Sequence, residues 1–416
     1  MTLPRELLET DVAPNHLPDT DWLDQYLARG EAREPIMLGL GERWGGTPAP
    51  LLAALGSASA ASHGYQLSMY GLPRLRGVLR DYLRRTHRLE GLDDAYEVAV
   101  GWTGTRAVMR DYAELLAARH SGRKGHLSAL VVAPSWDYAG ILEPSGFRIH
   151  YLDPTLTGSW EPTPEMIADT AAGLTGGLDL VVINAQHNPT GISWSPDTVR
   201  ALVRLAAEHG AAVLVDDAYY GFLDPAGEPT SALLELLTEE SAAGLPWLAV
   251  RSLGKQFNCN GWAVGAVTGP PGLLDELVND VRARHTYNHG AFLQNAMADW
   301  LTDERAVSEF LAREREEYEE QRTAAVTALT RFGVSRIVAG PAGPYLLYPM
   351  PENRDGDRMA YLEDCAVRAG VLMSDAWPAA RLLAPRAGRH VRMYLGRPPE
   401  VLTEACVRLS DAGLLG

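Results

Sequence analysis

The chain is poor in cysteine. Cys259, Cys365 and Cys406 are too few and too scattered for a disulfide framework or a cysteine-based zinc site, and no metal is expected. No apolar run approaches the roughly 18 residues a membrane span requires. The N-terminus, Met1-Thr2-Leu3-Pro4-Arg5-Glu6, lacks the apolar core of a secretion signal. Positive charge is also short: 37 Lys and Arg against 53 Asp and Glu give a net charge of −16. Such a surface repels phosphate backbones and anionic lipid, so neither nucleic acid nor a membrane is an expected partner. Internal repeats and low-complexity tracts are missing. What is there is ordinary for a folded protein: 416 residues, 46% hydrophobic and 22% charged. The reading is a soluble, cytoplasmic chain of two or three domains, large enough for an enzyme.

From about residue 97, short β-branched runs alternate with amphipathic stretches. Glu97–Trp102, Ala129–Ala133, Leu178–Asn184, Ala211–Asp216 and Trp247–Ser252 read as buried strands. Thr105–Arg119 and Ser195–His209 read as helices, the second opened by Ser-Pro. This alternation predicts an α/β fold with a mostly parallel sheet covered on both faces. Beyond residue 300 the pattern changes to a long charged helix at Glu304–Leu329, a strand at Leu346–Tyr348, a helix near Asp357–Ala369, a strand at Val391–Leu395 and a final helix. Helices segregated from a few strands predict a smaller α+β domain. The expected organisation is an N-terminal segment, 1–50, packing on the small domain; a large domain, 51–300; and a small C-terminal domain, 301–416.

In open α/β sheets, ligands bind at the carboxyl ends of the strands. The residues found there are chemically distinctive. Thr103-Gly104-Thr105 opens a helix, where backbone N–H groups and hydroxyls suit a phosphate, although a plain helix cap is the alternative. Trp136, after Pro134-Ser135, has a face on which a flat ligand could stack, or it simply packs in the core. Asn188-Pro189-Thr190-Gly191 is a sharp turn carrying an amide. Asp216 ends a strand and is costly to bury unless it meets a cation. Ser252-Leu253-Gly254-Lys255 places an amine after a strand; in an apolar setting its pKa would fall, as a Schiff-base amine requires, although a surface lysine is the alternative. Each feature alone is weak; together, in this order and along one edge, they are specific.

With these loops in this order, the chain resembles the fold-type I, pyridoxal-phosphate-dependent aminotransferases of class I/II, the aspartate aminotransferase superfamily. The likeness runs from Leu38-Gly39-Leu40-Gly41 to Val391-Arg392-Met393-Tyr394. It implies pyridoxal 5′-phosphate as cofactor, Schiff-base-linked to Lys255, which then shuttles the proton. Asp216 would pair with the pyridinium nitrogen. Asn188 and Tyr219 would hydrogen-bond the ring oxygen, and Trp136 would stack on the ring. Thr103, Gly104, Thr105 and Ser252 would hold the phosphate. Tyr65 resembles the tyrosine that reaches the phosphate of a neighbouring subunit, which implies a homodimer with shared active sites. Arg392 resembles the arginine gripping the substrate α-carboxylate, with Gly41, Asn188 and Trp136 beside it.

Three departures stand out. The family's Gly-Trp-Arg-x-Gly pattern reads Gly261-Trp262-Ala263-Val264-Gly265 here, so Ala263 replaces a phosphate-binding arginine. A lost charge-assisted hydrogen bond is worth about 1.5–3 kcal/mol, and Arg106 or Arg251 is a candidate replacement. Tyr65 and Gly71 are spaced one residue wider than the common form, so Tyr70 rivals Tyr65. Arg284 lies where some relatives select the distal end of the substrate, although an arginine at a helix end also serves the dipole. His187 is expected to support Asn188, and Cys259 to pack.

The resemblance implies an aminotransferase acting on an L-amino acid. The alternative is a lyase, replacement or cyclisation enzyme acting at Cβ or Cγ of an amino acid, or of S-adenosylmethionine, in specialised metabolism. Fold-level likeness does not separate these. An effector-sensing domain of a transcription regulator is a third reading; it wants an attached DNA-binding segment, and residues 1–50, with Pro4, Pro14, Pro18 and Pro35, offer no helix-turn-helix.

Overall fold

The computed structural model describes residues 18–30, 33–123, 125–174, 177–223, 229–352, 354, 358–375 and 390–415. Pro4 and Pro14 lie outside them, as does Asp357, where the sequence pattern begins a helix that is described as Arg358–Ala369. The strands in chain order are β1 (Ile36–Met37), β2 (Glu97–Gly101), β3 (Leu127–Val132), β4 (Phe147–Leu152), β5 (Leu180–Ile183) and β6 (Ala212–Asp216). They continue as β7 (Trp247–Ser252), β8 (Gly265–Gly269), β9 (Tyr345–Pro349), β10 (Val371–Leu372), β11 (Ser374–Asp375) and β12 (His390–Tyr394).

Seven strands form one sheet in the order β2-β8-β7-β6-β5-β3-β4. The pairs β3–β4, β3–β5, β5–β6 and β6–β7 are parallel, and β8 runs antiparallel between β7 and β2. Parallel strands need both faces covered. Their composition supplies that: Leu180-Val181-Val182-Ile183 and Ala212-Val213-Leu214-Val215 are buried at every position. Burying each Val or Leu contributes roughly 1.5–3 kcal/mol. The helix Pro196–His209 shows how tightly the crossovers are specified. Ser195 accepts from Thr198 N at its start, proline fills the first turn, and Gly210 at φ +62° closes its end. The fold is the α/β architecture expected from the alternation.

Two strands of the seven-stranded sheet escaped the sequence reading, as did the two-residue strands β1, β10 and β11. β4 lies at the sheet edge and mixes buried Phe147 and Leu152 with Arg148 and His150. β8 is bounded by Gly265 and Gly269 and reads as turn-rich.

A second group of elements lies beyond residue 300. The 28-residue helix Glu304–Arg331 is capped by Asp303, whose carboxylate accepts from Ala306 N at 3.0 Å. The antiparallel sheet β11-β12-β9 follows it in the chain. From the N-terminal side, β1 pairs in parallel with β10, and Pro18–Ala28 packs against Arg358–Ala369. Tyr394 N donates to Leu38 O at 2.8 Å, which draws the segment after β1 against β12.

Candidate active site

The carboxyl ends of β5, β6 and β7 meet in one polar knot. Asp216 closes β6 and is 4% exposed. Tyr138 Oη donates to its Oδ2 at 2.7 Å and Ala218 N to its Oδ1 at 3.1 Å. Asn184, just past β5, donates from Nδ2 to the Asp216 carbonyl at 2.7 Å and accepts from Asn188 N at 2.8 Å through Oδ1. Asn184 therefore fixes the aspartate and the Asn188 turn together. Burial pushes the Asp216 carboxyl above the usual carboxylate range, opposed by the Lys255 ammonium and by the Tyr138 and Ala218 bonds. A buried carboxylate held this way is built to face a cation.

Lys255 follows β7 in a short helix capped by Ser252, whose Oγ accepts from Lys255 N at 3.3 Å. Its Nζ lies 4.8 Å from the Tyr219 ring centroid and 5.6 Å from that of half-buried Trp136. Across the cleft, Arg392 on β12 uses one N–H of each guanidinium nitrogen and keeps a second on Nη1 and on Nη2. Nε donates to Ser374 Oγ at 2.9 Å, Nη1 to Asn188 Oδ1 at 3.1 Å and Nη2 toward Gly39 O at 3.4 Å. Taking the Asn188 oxygen leaves the Asn188 Nδ2 as the atom with which that side chain donates. Lys255, Tyr219, Asn188, Trp136, Gly41 and Arg392 line one cleft of about 360 Å³.

Sequence reasoning missed two side chains of this knot. Tyr138 lies beyond the Pro-Ser-Trp signal and reads as a core aromatic. Tyr345 starts β9 after a glycine and a proline. Its ring lies 4.2 Å from the Arg392 guanidinium, and its hydroxyl is 3.3 Å from that of Tyr219. Burial pushes the Tyr219 phenol up to about 12. His187 is buried beside Asn188, its Nδ1 2.8 Å from Thr190 Oγ1, with burial driving its imidazole down to about 3. It braces the turn as a neutral ring. Cys259 is buried, its thiol pushed up to about 12 by burial.

The other end of the cleft is built differently. Gly104 adopts φ +80° and donates its N–H to Ala263 O at 2.9 Å, so Thr103-Gly104-Thr105 lies against residue 263. Ala263 itself is left-handed, at φ 54°. Thr103 makes no side-chain cap on the helix Gly104–Arg119. Its Oγ1 instead accepts from Arg282 Nη2 at 2.9 Å.

The three arginines near this end behave unequally. Arg251 is turned away from the cleft and donates to Thr86 Oγ1 at 2.8 Å and Tyr82 Oη at 3.2 Å. Arg106 is about half exposed, 4.5 Å from the Trp136 ring and 3.1 Å from Asp137 Oδ2. Arg282, which the sequence did not single out, is buried behind Thr103. It stacks 4.2 Å from the Trp102 ring and pairs with Asp111 at 3.1 Å.

Tyr65, Tyr70 and Arg284 do not join the cleft of their own chain. Tyr65 is 87% exposed, edge-on to Tyr287 at 6.1 Å. Tyr70 donates to Asp275 Oδ1 at 2.8 Å and carries Arg76 over its ring. Arg284 is exposed.

A large, mostly parallel sheet with a lysine, an aspartate and an amide turn at its strand ends, facing an arginine from a smaller sheet, defines a fold-type I transferase. The chain belongs to the family described as Aminotransferase class I and II, whose model matches residues 55–410. It is accordingly an enzyme of the aminotransferase type. Among curated relatives, it is 26% identical to the aspartate/prephenate aminotransferase of Thermus thermophilus, over 82% of this chain and 81% of that one. It is also 26% identical to the arginine–pyruvate transaminase AruH of Pseudomonas aeruginosa, over 94% and 93%. Among solved structures, a double mutant of Thermus thermophilus aspartate aminotransferase superposes with a TM-score of 0.80 at 23% identity, covering 99% of this chain and 100% of that one.

Proposed function

We propose that the protein is a pyridoxal 5′-phosphate-dependent aminotransferase that moves the amino group of an L-amino acid to a keto acid. The observation that carries this reading is the placement of the Lys255 amine between Tyr219 and Trp136, near buried Asp216 and facing Arg392. The residues fit the cofactor chemically: a carboxylate whose burial opposes its charge suits a protonated ring nitrogen, and amide and phenol donors suit a ring oxygen anion. When bound, pyridoxal phosphate supplies an electron sink for the pair released at the substrate Cα.

The chain's own residues do the rest. The Lys255 amine would anchor the cofactor, and its Nζ would take the proton from the substrate Cα. Asp216 keeps the proton on the ring nitrogen. Asn188 Nδ2 and Tyr219 Oη donate to the ring oxygen, and Trp136 stacks on the ring. Thr103, Gly104, Thr105 and Ser252 hold the phosphate. Arg392, braced by Ser374 and Asn188, takes the α-carboxylate with two parallel N–H donors. This fixes which bond at Cα lies ready to break, with Gly41, Asn188 and Trp136 enclosing the substrate.

The working unit we infer is a homodimer. Tyr65, Leu67 and Tyr287 are 87%, 97% and 66% exposed, with Tyr65 edge-on to Tyr287 and His63 stacked on Phe292. Exposed apolar surface of that kind favours a partner, and a second copy would bring Tyr65 to a shared phosphate site. Tyr70 is already committed to Asp275, which leaves Tyr65 the better placed of the two. No described helix is long and apolar enough to cross a membrane. Three buried free cysteines and the acidic balance support a cytoplasmic setting in amino-acid metabolism or biosynthesis.

The test is an absorbance titration of cofactor-loaded protein with L-amino acids in the absence of any keto acid. Stoichiometric, stable loss of the visible band to the near-ultraviolet band of the aminated cofactor is expected, and it identifies the donor. Multiple turnovers of substrate without a keto acid would overturn transamination in favour of elimination, replacement or cyclisation.

A further inference from the structure

We propose that Tyr345 is a positioning residue which strengthens the hydrogen bond of Tyr219 to the cofactor's ring oxygen and ties that bond to the occupancy of Arg392. The inference rests on the cofactor reading above and on a juxtaposition that reading does not require. Tyr345 is buried at the start of β9, with its ring 4.2 Å from the Arg392 guanidinium and its hydroxyl 3.3 Å from Tyr219 Oη. Its hydroxyl reaches the backbone of Gly41, where a Cβ would collide with it, so position 41 is kept bare. The charged and titratable groups facing it are Tyr219, Lys255, Arg392 and Tyr394, with Tyr318 behind, bonded to Tyr394 at 2.8 Å.

The direction of the phenol pair follows from proton counting. Each hydroxyl has one proton. If Tyr219 gives its proton to the ring oxygen, the 3.3 Å contact is made by Tyr345 donating to the Tyr219 oxygen. A hydroxyl that accepts one bond donates a stronger one, so Tyr345 makes Tyr219 the better donor. The guanidinium against the Tyr345 ring draws electron density from it and sharpens its donor. A substrate carboxylate on Arg392 neutralises that pull. The ring oxygen then loses part of its stabilisation, which raises its proton affinity at the moment substrate arrives. Arg392 thus acts on the ring oxygen along two routes, through Asn188 and through Tyr345.

The readout is the pH midpoint of the visible absorption band of the Lys255-bound cofactor. Tyr345→Phe keeps the ring, its packing and its stacking on Arg392, and deletes the donor alone. We expect the midpoint to rise by about 0.5–1 pH unit, the scale of one neutral hydrogen bond. Saturating propionate, a carboxylate with no amine, should raise the midpoint of the native protein by more than that of Tyr345→Phe. Tyr219→Phe is the reference and should raise the midpoint at least as far. If Tyr219→Phe moves the midpoint and Tyr345→Phe changes it by less than about 0.2 unit or lowers it, the proposal is overturned and the cofactor reading stands. If neither variant moves it, the Tyr219 contact is wrong and the proposal falls with it. If no visible band forms with added cofactor, the Lys255 assignment fails first.

Discussion

The two ends of the cleft are held by different means. At the Asp216 end, functional side chains are tied to others: Asp216 to Tyr138, Asn188 to Arg392, Tyr219 to Tyr345. At the Thr103 end, the donors are backbone N–H groups and hydroxyls, residue 263 carries only a methyl group, and the nearest buried guanidinium stands behind Thr103. The contrast separates positioning from retention. Chemistry at Cα demands angles, and crossed hydrogen bonds between charged and polar groups fix angles. Holding an anion demands charge near it, and here that charge is set back and shared with Asp111. Burial pushes the Asp111 carboxyl up to about 6, while Arg282 and His285 favour its charged form.

Four substitutions sharpen or break this contrast. The largest effect belongs to Lys255→Ala, expected to lower kcat by about 10⁴-fold or more, because the proposed covalent anchor and Cα base would both be lost. Cofactor should still bind, measured by equilibrium dialysis. Turnover near the native rate would remove Lys255 from the chemistry. Next comes Arg392→Gln, which keeps polarity and loses the paired donors. We expect kcat/KM for the amino acid to fall about 10- to 100-fold, at little cost in cofactor affinity. A change confined to cofactor affinity would reverse the division of labour between the two ends.

Ala263→Arg probes the opposite end. It should tighten cofactor binding about tenfold, with kcat nearly unchanged. Unchanged affinity would show that Arg282 and the backbone already meet the need. The smallest effect is on stability. Ala263 sits at φ 54°, where a side chain is strained, so Ala263→Gly should raise the unfolding free energy by about 1 kcal/mol in urea. No gain would mean that the alanine methyl packs well enough to offset the strain.

The legible part of this molecule was the part written in short range. Buried parallel strands need unbroken Val, Ile and Leu, so β5, β6 and β7 stood out. The strand-end residues stood out because Asn-Pro-Thr-Gly, a terminal aspartate and a lysine after a serine are unusual beside such runs. β4 escaped because an edge strand tolerates Arg148 and His150, and β8 because its glycines resemble turns. Tyr138 and Tyr345 carry no local mark: a tyrosine next to a strand usually packs, and Tyr345 meets Tyr219 and Arg392 only where β9, β12 and the Tyr219 loop come together. Arg282 was hidden by its neighbour. Arg284 drew attention in the sequence but faces solvent, while Arg282 faces Thr103. The two stand in a single 3₁₀ turn, Arg282–Arg284, that follows a π-type turn at Leu277–Val281.

The Asn188-Pro189-Thr190-Gly191 turn has a second neighbour. Gly340 N donates to Thr190 O at 3.0 Å and Ala342 N to Gly191 O at 2.8 Å, so two loops meet main chain to main chain. A Cβ at Gly340 would overlap the Gly191 backbone, and one at Gly191 would meet the Gly340 carbonyl. No side chain cushions this joint, and it lies between Asn188 on one side and Tyr345 on the other. Like a rivet through two plates, it ties together two of the residues that reach Arg392. For folding, as distinct from activity, tolerance to mutation should therefore be lowest not among the charged groups of the cleft but at two glycines, Gly191 and Gly340.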